Sequence, residues 1–485
     1  MFGGLLKSTS LAALVAVAGV ALSGVSAQAA DLGGNCCADL EERIAELEAT
    51  TARKGNRKVS LTVSGQVNQS VLFFDDGVEK NAYVTDNEAS RTRVRFLGSA
   101  KIDASWSAGY LLELGVRGNR QDTLSANGVV SGGVQVAGAS NGVGSKVVDV
   151  RHSVWWLQNK DLGKVWMGQT SDAIDGITEI NLANTGHFAS PQLADYVNGF
   201  QLRNPNGTTG LQFSGVWNGS RSGANPGEGD RFNVVKYDTP TIAGFIASVA
   251  WGEDDIWTVG LRYAGEFSGF KMAAGIGYME TTDGFAVSTS TNLPQNGARG
   301  CARIIGATGT GSDVSCNELG LSGSLMHTAT GLYGFGAYGR KVDDNRKLLT
   351  NAAGTVAQPL RKDDHFYYVQ GGIEQKFFPV GKSTFFGEYY SGDFAAPNTT
   401  PVPGVTGSST GRSAAAGAAF TGSSGYVTNS TVEMWGIGFN QNVEAAAMDF
   451  YVGYRNYSVE VRDSAGAKSL YNDVQTVTTG ARIQF

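Results

Sequence analysis

Between Lys58 and Asp103 two alternating stretches of opposite character meet across one loop, and together they exclude most folds. In the first, Val59, Leu61, Val63, Val67 and Val71 take one face and Ser60, Thr62, Ser64, Gln66, Asn68 and Ser70 the other, the period of two that marks a strand with one apolar side. In the second, Arg91, Arg93 and Arg95 share a face while Thr92, Val94, Phe96, Ala100 and Ile102 share the opposite one, so three guanidinium groups stack in a column. A dry core cannot hold that column, because unpaired buried charges cost several kcal/mol each. On these two strands alone, a soluble sandwich with its arginines in bulk water fits as well. An inverted wall, apolar toward lipid and polar toward water, requires the same alternation in many segments of about ten residues down to the end of the chain.

The alternation does recur. Tyr110, Leu112, Leu114 and Val116 alternate with Glu113 and Arg117, and Val148, Val150, Val154 and Trp156 with Asp149, Arg151 and Ser153. Lys164 to Thr170 makes a fifth strand; after a long irregular region eleven more follow, from Asn233–Tyr237 to Val474–Phe485, giving sixteen. An even count is what a bacterial single-chain barrel needs. Short turns such as Asp103-Ala104-Ser105 and Asn159-Lys160-Asp161 alternate with long connections rich in Gly, Ser and Asn, as tight periplasmic turns alternate with external loops. The expected fold is all-β, a 16-stranded antiparallel transmembrane β-barrel over residues 58–485.

The ends agree with this topology. Lys7, the apolar run Leu11 to Val25 and the small-residue site Ala27-Gln28-Ala29 read as an export signal over residues 1–29, with a mature start at Ala30 or Asp31. No later apolar run approaches the length of a spanning helix, so helical membrane spans are not expected. Residues 30–57 read as a periplasmic segment with a helix over Ala38 to Lys54: Cys37, Leu40, Ile44, Leu47 and Thr51 follow the spacing of a coiled coil, acidic residues open it, and Arg53, Lys54 and Gly55 close it. So short a stalk holds only if something else gathers copies of the chain; a helix packed on its own barrel is the other reading. Cys36 and Cys37 are expected to be free thiols or links between subunits.

Glycine is 67 of 485 residues, about twice the usual share, and the net charge of −6 without a basic stripe speaks against nucleic acid as a partner. The irregular stretch from Ser171 to Asp230 carries Asp172, Asp175 and Glu179; it is expected to fold into the lumen with its carboxylates toward the arginine wall, the other choice being a solvated external loop. Within it, Leu211 to Trp217 alternates like a small hairpin or extra wall element. Cys301 and Cys316 flank a Gly/Ser/Thr-rich loop and are expected to form a disulfide, permitted by export. His152 and His327 fall on expected lipid-side positions, and neither they nor His187 and His365 accompany a nucleophile motif, so catalysis is not expected.

The export signal, the strand and turn Asn233-Val234-Val235-Lys236-Tyr237-Asp238-Thr239-Pro240 before Ala243-Gly244-Phe245, the basic second strand, the acidic loop after the fifth strand and the terminal Ala481-Arg482-Ile483-Gln484-Phe485 together resemble the trimeric general porins. The stretches Ser153-Val154-Trp155-Trp156-Leu157-Gln158-Asn159 and Gly163-Lys164-Val165-Trp166-Met167-Gly168-Gln169, with the helical extension, resemble the alphaproteobacterial members. The resemblance implies a homotrimer in the bacterial outer membrane, in contact with lipid and lipopolysaccharide, with a third external loop narrowing each pore and no cofactor; nothing in the sequence points to a metal. It maps Arg91, Arg93, Arg95, Arg117 and Arg151 to a basic wall and Asp172, Asp175 and Glu179 to the acidic loop. Phe485 matches the terminal aromatic read by the barrel-assembly machinery, although Ile483, Ala481 and Thr479 on its face are less apolar than the family pattern. Ala30-Asp31 matches a start joined to peptidoglycan if cleavage follows Ala29.

The expected function is passive diffusion of small hydrophilic solutes and ions through a charged constriction. The alternatives are a solute-specific channel, for sugars or anions, and a secreted β-rich surface protein. The latter predicts internal repeats, which the chain lacks.

Overall fold

A computed structural model describes residues 58–116, 118, 120–121, 124–125, 128–129, 148–207, 209–217, 225–252, 255–283, 313–343, 363–394, 427–463 and 468–485. The export signal, Ala30, the stalk positions Cys37, Leu40, Ile44 and Leu47, and also Arg117 and Cys301, lie outside the described residues.

Each alternating stretch forms a strand, and the strands pair antiparallel in chain order. They are β1 (Ser60–Asp75), β2 in two halves (Lys80–Asp86 and Arg93–Lys101), β3 (Trp106–Val116), β4 (Val148–Asn159), β5 (Gly163–Ser171), β6 (Arg231–Asp238), β7 (Phe245–Gly252) and β8 (Ile256–Phe267). They continue as β9 (Phe270–Asp283), β10 (Asp313–His327), β11 (Leu332–Asp343), β12 (Asp363–Phe378), β13 (Gly381–Phe394), β14 (Val427–Val443), β15 (Met448–Asp463) and β16 (Val474–Gln484). β1 pairs with β16 from Gln66 opposite Gln484 to Asp75 opposite Gln475, which closes the sheet into a sixteen-stranded barrel. Gly65 and the terminal Phe485 exchange backbone hydrogen bonds (2.8 and 3.1 Å) across this seam.

At one end the connections are tight. Ala243-Gly244 and Ser268-Gly269 have φ of 50° and 88°, and 50° and 81°, the doubly left-handed turn that suits the twist of adjoining strands. Asp103 ties another such turn: its carboxylate accepts from the amides of Ser105 (2.7 Å) and Trp106 (2.9 Å), which hold its carboxyl below the usual carboxylate range.

Outward positions are apolar and exposed: Leu61, Val63 and Val67 on β1, Val165 and Met167 on β5, Val259 and Leu261 on β8, Ile437 on β14 and Val452 on β15. Such a belt is stable only against lipid. Aromatic residues edge it at both levels, as Phe385 with Phe439 (ring centroids 4.7 Å apart) on the tight-turn side and Trp257 with Tyr278 (5.4 Å) on the loop side.

Three features depart from the sequence reading. β2 is interrupted: Gln69 faces Asp86 and Gln66 faces Arg93, so Asn87 to Thr92 leaves the ladder opposite only Val67 and Asn68. The inner-face amides hold this excursion, Gln66 Nε2 and Asn68 Nδ2 both donating to the Ser90 carbonyl (2.8 and 3.0 Å). On β4, Glu113 pairs with His152 but Leu114 with Val150, so Arg151 is an extra residue. Such a bulge inverts the faces beyond it. Val154 and Trp156 therefore turn inward and Trp155 outward, and His152 lies inside instead of on the lipid side, its Nδ1 3.0 Å from Thr170 Oγ1. Finally, the loop-side inner faces of β1 and β11–β15 are apolar. Leu72, Phe74, Phe366, Tyr368, Tyr390, Phe394, Val432, Met434, Tyr457 and Val459 are buried in a core that the long connection after β5 fills from within.

Candidate pore lining

That connection, Asp172 to Asp230, is the third external loop, and its described residues run along the inside of the wall. Its first turn is shaped by Asp172, whose buried carboxylate accepts from the amides of Ile174 (2.9 Å) and Asp175 (2.8 Å). Arg262 on β8 donates to the carbonyls of Ala173 (2.7 Å) and Asp175 (2.8 Å). Ser322 on β10 donates to the Ile177 carbonyl (2.6 Å), and Gln370 on β12 takes bonds from Asn181 and Thr185 (2.8 Å each). Ile174, Ile177 and Ile180 pack on Phe232, Val234 and Ala273, making this contact dry. Asn184 is then bonded to four strands: its amide to Glu374 on β12 (3.0 Å), Nδ2 to Asp449 on β15 (2.7 Å), its carbonyl from Asn440 on β14 (3.1 Å) and Oδ1 from Arg482 on β16 (3.3 Å).

The loop climbs back through Leu193, Tyr196, Val197, Phe200 and Trp217, which form the core against β11–β15. Arg455 anchors it, pairing with Glu388 (2.7 Å), donating to the Ser190 carbonyl (3.1 Å) and lying 4.1 Å from the Tyr196 ring centroid. Of the stretch Leu211 to Trp217, only Leu211 and Gln212 join a small hairpin, Thr209–Gln212 with Gln201–Arg203, whereas Phe213–Val216 closes into one helical turn. The loop returns beside β10 and β11, where Gly227 lies against the backbone of Gly320 and the Pro226 carbonyl occupies the space a side chain on Gly339 would need.

The opposite wall stays charged. Arg93 and Arg95 project inward from β2, and Arg91 from the excursion before it. Glu113 on β3 sits behind them with no exposed surface. Arg95 reaches it through Nε (2.8 Å) and Nη2 (2.5 Å), Arg151 through Nε (2.6 Å), and Arg93 at 3.6 Å. Arg91 meets Asp149 (2.9 Å) and Glu88 (3.4 Å). Two of the acids are withdrawn and the bases presented: Glu88 and Glu113 side chains are 2% and 0% exposed, those of Arg91, Arg93 and Arg95 16%, 12% and 35%, while Asp149 stays open at 26%.

The two walls touch where Arg231 on β6 meets Asp175 of the loop (3.4 Å). Burial pushes the Asp175 carboxyl up, but Arg231 and the Ser171 hydroxyl (2.5 Å) outweigh it and hold the group at about 2. Glu179, half-buried, follows one turn later, its amide bonded to the Gly176 carbonyl (3.2 Å).

The profile of the Gram-negative porins matches residues 10–462. The chain belongs to the Gram-negative porin family. This porin is accordingly a passive diffusion channel of the bacterial outer membrane. Among solved structures it is similar to the anion-selective porin from Comamonas acidovorans, with 13% identity and a TM-score of 0.48 over 88% of this chain and 100% of that one. It is also similar to OmpT, an outer membrane protein of Vibrio cholerae (12%, 0.47, 90% and 100%), and to the outer membrane channel DcaP of Acinetobacter baumannii (12%, 0.47, 89% and 99%). No curated protein sequence matches the chain.

Three residues that hold the lining of the porin in place had no role assigned to them from the sequence: Glu113, Arg231 and Glu228. Glu113 carried a signal, being a carboxylate between leucines on the strand after the arginines. Glu228 carried none, because its role is to accept from Gly176 and Thr178 across the loop and so pin the loop's two ends together.

Proposed function

We infer that this porin is a general diffusion channel for small hydrophilic solutes and ions, narrowed between Arg91, Arg93, Arg95 and Arg151 on the wall and Asp175 and Glu179 on the third loop. The carrying observation is the Arg231–Asp175 contact beside the Glu113-centred guanidinium cluster, which sets fixed charges of both signs along one side of the lumen. Opposed fixed charges orient dipolar solutes and make an apolar molecule disrupt ordered water to pass, while nothing in this arrangement consumes energy. The apolar packing of the loop on β11–β15 supports a passage confined to the β2–β6 sector.

The porin assembles as a homotrimer of the alphaproteobacterial type, reached through the barrel-assembly machinery with Phe485 as the signal; its pairing at the β1–β16 seam supports that role. The helical segment within residues 30–57 serves as a stalk through Cys37, Leu40, Ile44 and Leu47, and Ala30 is the point of peptidoglycan attachment. Cys301 pairs with Cys316, which is buried in β10. Arg117 belongs to the basic wall.

Single-channel recording of the purified protein tests the reading. Steps in groups of three, with currents linear in salt concentration, are expected; a protein that inserts but does not conduct overturns it. The withdrawn Glu88 and Glu113 favour one second reading, a channel with a preference for anions, which the reversal potential in a salt gradient reveals.

A further inference from the structure

Below the arginine column the same wall carries a second basic patch that the constriction does not use. The bulge at Arg151 turns Trp156 into the lumen, where it stands opposite Trp166 on β5, and Trp166 stands opposite Lys236 on β6. Lys164 lies between the indoles, its Nζ 3.6 Å from the Trp166 ring centroid and 4.1 Å from that of Trp156, while Lys236 Nζ is 5.4 Å from Trp166. Indole faces attract an ammonium and hold it in place without neutralising it. One carboxylate, Asp238, shares the patch; it already accepts from Trp166 Nε1 (2.7 Å) and Ser248 Oγ (2.7 Å) and lies 3.8 Å from Lys236. Two ammonium groups thus face one carboxylate. The indole N–H of Trp156 is buried with no acceptor, and a buried donor left unmatched costs about 1–3 kcal/mol.

We propose that Lys164, Lys236, Trp156 and Trp166 form a second anion station of the pore, which binds small oxyanions such as inorganic phosphate and short carboxylates between the arginine column and the tight-turn mouth. The station rests on the channel reading and deepens it by naming a solute class. It lies roughly 16 Å along β4 from Arg151, five residues at about 3.3 Å each. An oxyanion supplies what the patch lacks: negative charge against two cations, and several oxygens, one of which can accept from Trp156 Nε1. Stations at that spacing let an anion pass from one to the next without meeting a wall of its own sign.

The test uses the purified full-length porin in planar bilayers, with a potassium chloride gradient and added inorganic phosphate. The wild type is expected to reverse at an anion-preferring potential and to show chloride current reduced saturably by phosphate. K164Q/K236Q is expected to raise the half-blocking phosphate concentration by about threefold or more and to move the reversal potential toward cations. K164R/K236R keeps both properties, and Trp156→Phe, which retains a ring but loses the N–H, raises the half-blocking concentration alone. Gel mobility of unheated samples confirms that each variant is folded. Folded K164Q/K236Q channels with unchanged phosphate response overturn the station and leave the channel standing; a wild type that forms no channels overturns the channel reading itself.

Discussion

Arg95 grips Glu113 through two nitrogens, Nε at 2.8 Å and Nη2 at 2.5 Å, and does so from the pore side, so that the carboxylate is hidden and the guanidinium is not. Arg151 holds the other oxygen at 2.6 Å. One buried acid thereby keeps three like charges within reach of one another.

Replacing Glu113 by Gln removes that counter-charge and leaves Arg93, Arg95 and Arg151 facing each other. Breaking a buried ion pair by deleting one partner costs about 3–5 kcal/mol. The temperature at which the folded band disappears on unheated gels should fall clearly in E113Q, while E113D loses less.

Neutralising Arg91, Arg93 and Arg95 together as glutamines should shift ion preference toward cations. Reversal potential in a salt gradient measures this, and the change should shrink as salt rises, because the Debye length falls from about 10 Å at 0.1 M to about 3 Å at 1 M.

Asp175 titrates at about 2 in the folded protein, below its unfolded value of about 4. A depressed carboxyl contributes stability that is complete above the unfolded value and is lost as pH falls through the folded one. The difference in thermal stability between wild type and D175N should therefore be constant from neutral pH to about pH 5, shrink as pH falls further, and be gone by about pH 1. A difference undiminished at about pH 2 contradicts the Arg231 pairing.

Asn184→Ala removes the side-chain bonds to Asp449 and Arg482 and frees the deepest point of the loop from two strands. At about 1 kcal/mol for each lost bond the barrel still folds, but the loop moves. Larger and noisier single-channel conductance is expected.

Gly339→Ala would drive a Cβ into the Pro226 carbonyl oxygen, so the returning limb of the loop must lift off β11. Accelerated cleavage between residues 217 and 231 by added protease, with the barrel intact, is the expected result; Gly334→Ala, where a Cβ meets nothing within 4 Å, is the control.

The sixteen strands were legible because lipid on one side and water on the other impose period two on each of them. The inward loop was legible from its length and its carboxylates. The bulge at Arg151 was not, since one extra residue leaves Asp149, Arg151 and Ser153 alternating on paper while Val154 and Trp156 have changed sides. Nor was the dry half of the lumen, although His365-Phe366-Tyr367-Tyr368-Val369 is apolar on both faces, and a strand of that kind is one covered on both sides. Asp172 illustrates a further limit. A carboxylate near a basic wall and one that caps its own turn have the same sequence signature, and only the amides of Ile174 and Asp175 distinguish them.

Asn184 joins partners that are synthesised long after it, on β12, β14, β15 and β16. The strands that complete the ring, all from the last quarter of the polypeptide, thus close on a single loop residue from its first half. A ring emptied of that piece would have to be a different molecule, with different residues facing its middle.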